Sequence, residues 1–218
     1  MAVAVDQRTA QATRWSNVAP LLGLLFIVLV VGSIAIGNTP NTSKSPAAVL
    51  AYYNANHSRE YTSVFLAAAA VVIGLFWFAY LQDWLQRRDV NERWGSVAFA
   101  GGILFAVVGG IAVGIELALV DTPKSLTPAT VAALNFLESD VPFIFTSMAL
   151  GVMAVATGIA ARKSQYLPTW LGWVSLVVGI IAVVPIGDFL ALPGIAVWVL
   201  LVTGVMWFRK DPEGALAS

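Results

Sequence analysis

Residues 95–120 read GSVAFAGGILFAVVGGIAVGIELALV, and Glu116 is the one charged residue in that run. At 1.5 Å of rise per residue, about 20 apolar residues in a helix cross the hydrocarbon of a bilayer. The run is continuous and does not alternate between apolar and polar residues, so it reads as a helix and not as a barrel strand. A helix also pairs its own N–H and C=O groups, which hydrocarbon demands. Five further stretches read the same way: Val18 to Gly37, Tyr61 to Leu81, Val141 to Ala161, Trp170 to Ile186 and Phe189 to Phe208, the last interrupted near its start by Pro193. The expected fold is an all-α integral membrane protein, a single domain over residues 1–218 built as a six-transmembrane-helix bundle.

Composition points to the same class. The chain is 59% hydrophobic and only 11% charged, against about a quarter charged in a soluble domain. Formal net charge is zero, so there is no electrostatic case for nucleic acid. With no cysteine and one histidine, thiolate chemistry and a multi-histidine metal site are excluded, and no metal or cofactor is expected. Arg8 and Arg14 precede an apolar run, Val18 to Ile36, in which Ser33-Ile34-Ala35 loosely resembles a signal-peptidase site. The run is longer than the usual signal-peptide core and is read as a retained first helix.

Basic residues set the expected orientation, because Lys and Arg collect on the cytoplasmic side. Arg8, Arg14, Arg87, Arg88, Arg93, Arg162, Lys163, Arg209 and Lys210 fall on one side, and Lys44, Arg59 and Lys124 on the other. This places both termini on the cytoplasmic side of the membrane. Trp15, Trp84, Trp94, Trp170 and Trp207 fall near the same inner boundary, whereas Trp77 and Trp198 fall within the hydrocarbon.

The two longer outer loops resemble each other. One reads Ser45-Pro46-Ala47-Ala48-Val49 and the other Thr127-Pro128-Ala129-Thr130-Val131, at an offset of 82 residues from Ser45 to Thr127. A Ser or Thr cap followed by Pro starts a helix, so each loop is expected to hold a short amphipathic helix on the outer side. Spans one and two, and spans three and four, then read either as a parallel repeat or as two helix starts alike by chance.

Helices in lipid associate through small residues that let backbones approach. Ala98, Gly102, Ala106, Gly110 and Gly114 form such a ladder on the third span. Ser147, Gly151, Ala154, Gly158 and Ala161 do so on the fourth, and Gly172, Ser175 and Gly179 on the fifth. Gly110-x-x-x-Gly114 also fits a homo-oligomer contact.

Glu116 is the sharpest candidate for function, because a carboxylate at membrane depth needs a partner, water or a ligand. Gly109 and Ala112 share its helical face and leave room. His57 is read as closing the first outer helix, Asp140 as a cap before Pro142, Asp188 as a turn residue capping the last span, and Glu138 as exposed. His57, Glu60, Glu116, Asp121, Glu138, Asp140 and Asp188 all fall on the outer side, and His57, Glu116, Asp140 and Asp188 are taken as a candidate ligand-binding set. No catalytic motif is present: the chain lacks a Walker loop, HExxH, Gly-x-Ser-x-Gly and a dinucleotide fingerprint.

Three stretches resemble DUF4386-type bacterial multi-pass membrane proteins, common in actinobacteria. They are Leu134-Asn135-Phe136 through Asp140, Leu167-Pro168-Thr169-Trp170-Leu171-Gly172-Trp173, and the loop from Ser45 to His57. The resemblance implies an inner-membrane location and no particular reaction. Three functional classes follow. The first is a non-catalytic protein that binds a lipid or amphipathic molecule, or a membrane-protein partner, through an outer-side pocket. The second is a small-molecule or ion transporter, which would call for polar groups near the midplane. The third is an intramembrane enzyme using outer-side carboxylates.

Overall fold

The structure is a computed structural model that describes residues 2–87, 93–121, 123–164, 167–184 and 188–208, with the backbone alone for residues 2–17, 19 and 188–192. Seven α-helices are described: α1 (Ala2–Ile36), α2 (Pro46–Ala55), α3 (His57–Gln86), α4 (Arg93–Asp121), α5 (Pro128–Lys163), α6 (Thr169–Val183) and α7 (Asp188–Phe208), with a 3₁₀ turn at Pro123–Ser125 before α5. Among the described residues there is no strand. By length and composition α3, α4 and α5 can each cross a membrane, while Pro20–Ile36 of α1, α6, and Pro193–Phe208 of α7 form shorter apolar helical segments.

Leaving out the short α2, the helices pack in chain order. α1 lies on α3, α3 on α4, α4 on α5, α5 on α6 and α6 on α7, and α7 closes the ring against α1. Phe26, Trp77, Phe78 and Trp198 are buried where α1, α3 and α7 meet. Trp77 meets Trp198 edge-on at 6.3 Å between centroids, and the Trp198 indole N–H donates to Ser175 Oγ at 2.8 Å. An indole in an apolar core needs such an acceptor.

The glycine seams divide into a tight set and an open set. On α4 an added Cβ at Gly101 would lie 2.7 Å from the Ala149 carbonyl oxygen, and one at Gly102 would lie 2.6 Å from the Phe78 ring. Ala98 and Ala106 are buried on the same helix. The ladder stops there: a Cβ at Gly110 or Gly114 would meet no heavy atom within 4 Å, so the expected packing at these two positions is not made within the chain. Gly110 and Gly114 lie exposed on the outer surface of α4, while Gly109 and Ala112 of the same helix border a cavity. Between α5 and α6 the glycines face each other in pairs. A Cβ at Gly151 would lie 2.9 Å from the Gly179 carbonyl oxygen, and one at Gly158 would lie 2.9 Å from that of Gly172.

Several boundaries differ from the sequence expectation. The second outer helix is not a separate element, since α5 runs unbroken from Pro128 through Pro142 to Lys163. Pro142 lacks an N–H, and hydroxyls bond to carbonyls on either side of it. Ser139 Oγ donates to the Asn135 carbonyl and Thr146 Oγ1 to that of Pro142, both at 2.7 Å. The carbonyl that Pro142 leaves without its helical donor is that of Glu138, and neither hydroxyl bonds to it. With α5 unbroken, Asp140 is mid-helix and not a cap. In the same way α7 continues through Pro193. The first outer helix does stop, at Asn56, so His57 opens α3 and does not close α2.

Arg162 lies over the Trp173 ring at 4.2 Å and Lys163 over Trp94 at 5.4 Å. These contacts tie α4, α5 and α6 at the end of the bundle opposite α2. Arg88, Arg209 and Lys210 lie outside the described residues, and the side chains of Arg8, Arg14 and Trp15 are not described.

A carboxyl-lined cavity beside the short helix

The α2 end of the bundle is assembled around two helix starts. Ser45 Oγ accepts from the Ala48 N–H, Thr127 Oγ1 accepts from the Thr130 N–H at 3.2 Å, and Pro46 and Pro128 occupy the first helical turn in each case. Val49 and Tyr53 of α2 are buried with Leu119 and Val120 of α4 and Val131 of α5. The Tyr53 hydroxyl donates to Asn135 Oδ1 at 2.9 Å, and Asn135 Nδ2 donates to the Pro40 carbonyl at 3.0 Å. This places the first turn of α3 next to the C-terminal end of α1, where the Arg59 Nε donates to the Ile36 carbonyl. A cation at a helix C-terminus is favoured by the helix dipole.

Glu60 follows Arg59 and points inward. It is 0% exposed. Its Oε1 accepts from the Tyr52 hydroxyl and, at 3.3 Å, from the Asn38 N–H, whereas Oε2 is enclosed without a hydrogen-bond partner. Burial, and then the hydrogen bond to Glu60, push the Tyr52 hydroxyl well above its ordinary pKa, so Tyr52 stays a donor.

A cavity of about 490 Å³ lies between α1, α3, α4 and α5. Its apolar wall includes Val30, Ala70, Val71, Phe105 and Val113, and its polar wall includes Glu116, Glu138, Ser33, Ser63 and Thr146. Glu116 and Phe105 are 11 residues apart on α4, which corresponds to about 16 Å along the helix. At the deep end Phe105 meets Phe26 and Phe78 edge-on, at 5.8 and 5.7 Å between centroids.

Glu116 is 7% exposed and accepts no hydrogen bond from any described residue. Glu138, which precedes the apolar stretch starting at Val141, has an enclosed Oε2 with no partner. Burial, and after it the negative charges of Glu116, Glu60 and Asp140, raise the Glu138 pKa from 4.5 to about 8. Among the described residues the ion pair found is Arg87 with Asp83, at the opposite end. No three His, Asp or Glu side chains among the described residues are grouped to hold a metal ion.

Of the expected residues whose side chains are described, Glu116 lines the cavity and His57 and Asp140 do not. His57 is exposed and stacks on Tyr61 at 5.8 Å, away from it. Asp140 is exposed and accepts from Thr42 Oγ1 at 3.1 Å, within electrostatic reach of Glu138 but outside the wall. The Asp188 side chain lies outside the described residues, although its backbone opens α7. Glu138 is not on an exposed face as expected, and it joins Glu116 in the wall. Asn135 carried no signal as a linchpin beyond its place 82 positions after Tyr53. Comparison of the chain with family models, with curated proteins and with solved structures gives no match.

Proposed function

We propose that the chain is a non-catalytic inner-membrane protein that binds an amphipathic ligand in this cavity. In this reading six helices span the bilayer, both termini are cytoplasmic, and the α2 end faces outward, in the setting the DUF4386-type resemblance implies. The basic and tryptophan-rich end then meets the cytoplasmic interface, as the preference of Lys, Arg and Trp for that boundary requires. One observation carries the ligand reading: a cavity of about 490 Å³ joins an apolar wall to two carboxyl side chains, Glu116 and Glu138. Ligand sites are concave, mostly apolar and furnished with a few polar groups. Transport fits less well, because the Phe26–Phe78–Phe105 cluster stands across the deep end.

The test is to fill the cavity without touching its charge. Gly109 lines the wall, and a Cβ there would meet only Val71 Cγ2, at 3.4 Å. Gly109→Leu should fold normally and lose the lipids or amphipaths that co-purify with the wild type, read by mass spectrometry. An unchanged set of bound molecules would reject the reading.

A further inference from the structure

We propose that the ligand of this cavity carries a single ammonium head group, seated between Glu116 and Glu138 with Glu60 behind them, and an apolar chain along the Phe105 wall. The inference rests on the ligand-binding reading above and specifies its chemistry. Glu116 is 7% exposed, lines the cavity and is unpartnered among the described residues. Independently, Glu60 Oε2 and Glu138 Oε2 are enclosed and unpartnered. Groups of this kind are costly to bury unless a cation or a donor meets them.

No described side chain supplies that cation. Arg59 is exposed and its Nε is engaged by the Ile36 carbonyl. His57 stacks on Tyr61 outside the cavity. Tyr52 and Asn38 satisfy only one oxygen of Glu60. A compact metal ion does not suit the site, because the acids surround a volume and do not converge on a point. An alkylammonium does suit it, since it spreads its charge over several N–H donors and leaves a chain for Val71, Val113 and Phe105. A hydroxyl head could donate only one hydrogen bond and an anionic head would be repelled, so an ammonium meets more of the acid oxygens than either. Two sources share this chemistry: an aminophospholipid of the outer leaflet and a free lipophilic amine.

The experiment uses the full chain in dodecyl maltoside and native mass spectrometry. Dodecylammonium is compared with dodecanol, and phosphatidylethanolamine with phosphatidylglycerol. Wild-type protein should bind dodecylammonium about tenfold or more tightly than dodecanol, the scale of a charge-assisted hydrogen bond. Glu116→Gln should remove that preference, and Glu138→Gln should reduce it. Because the head-group comparison is made on the wild type, it holds even if one variant fails to fold. Retention of phosphatidylethanolamine over phosphatidylglycerol, lost in Glu116→Gln, assigns the ammonium to a lipid. Selective binding of dodecylammonium alone assigns it to a free amine. Equal binding of dodecylammonium and dodecanol, both abolished by Gly109→Leu, overturns the ammonium inference and leaves the cavity as a ligand site. Binding of neither probe, with no lipid retained, overturns both.

Discussion

Tyr53 and Asn135 are hydrogen-bonded side chain to side chain at 2.9 Å, and they stand 82 positions apart, the same offset that separates the helix caps Ser45 and Thr127. Val49 and Val131 repeat the offset and are buried in the same cluster. The two similar loops thus meet each other at equivalent positions. Tyr53→Phe would leave Asn135 Oδ1 buried without its donor, at a cost of about 1–3 kcal/mol. For a chain of this size the melting temperature should fall by about 2 °C or more. Scanning fluorimetry in detergent checks this, and an unchanged transition would refute the bond's contribution.

The glycines of α4 should respond in opposite ways. Gly101→Ala would force a methyl to within 2.7 Å of the Ala149 carbonyl oxygen, a backbone atom that cannot step aside. Overpacking of this kind costs about 1–3 kcal/mol. Gly110→Ala meets open space and should gain slightly, because alanine favours the helix by about 1 kcal/mol over glycine. Thermal stability of the two variants decides it, and the opposite order would contradict the packing described.

Acid pH should stabilise the cavity end. The Glu138 carboxyl titrates near 4.5 when unfolded and at about 8 when folded. A group whose folded pKa is raised contributes stability that is fully present below the unfolded value and is lost as pH rises through the folded one. Stability should therefore decline between about pH 4.5 and pH 8. Glu138→Gln should flatten that decline in melting temperatures measured across the window. A wild-type profile that rises over the same range would be inconsistent with the burial of Glu138.

Orientation is open to direct labelling, because the chain has no cysteine. Single cysteines in place of Lys44 or Lys124 should react with an impermeant thiol reagent on intact cells. Cysteines in place of Arg87 or Lys163 should react only after lysis. Labelling of position 87 or 163 in intact cells would reverse the proposed topology.

The helical plan was legible because long apolar runs admit few structures, and because Ser45-Pro46 and Thr127-Pro128 are local start signals. The end of a helix was less legible. Asn56 breaks the chain between α2 and α3, while α5 passes straight through the corresponding region and Pro142. That contrast depends on packing, which local spacing does not encode. The α5–α6 seam was read correctly from small residues alone. At Gly110 the same signal corresponds to no contact within the chain, because small residues do not themselves say which surface meets them. Glu116 could be singled out because charge inside an apolar run is rare. Glu138 sits among polar neighbours, and its burial depends on how the α2 end closes.

The paired glycines Gly151–Gly179 and Gly158–Gly172 also have a mechanical consequence. Each pair brings backbone against backbone at a separation a methyl group would violate. Both pairs run in antiparallel register, seven residues apart on each helix. Sliding α6 along α5 by even one residue would drive Val183, Leu176 or Arg162 side chains into the seam. The two helices therefore behave as one stiff plate. Glu138 stands on α5, so one wall of the cavity is carried by this rigid pair.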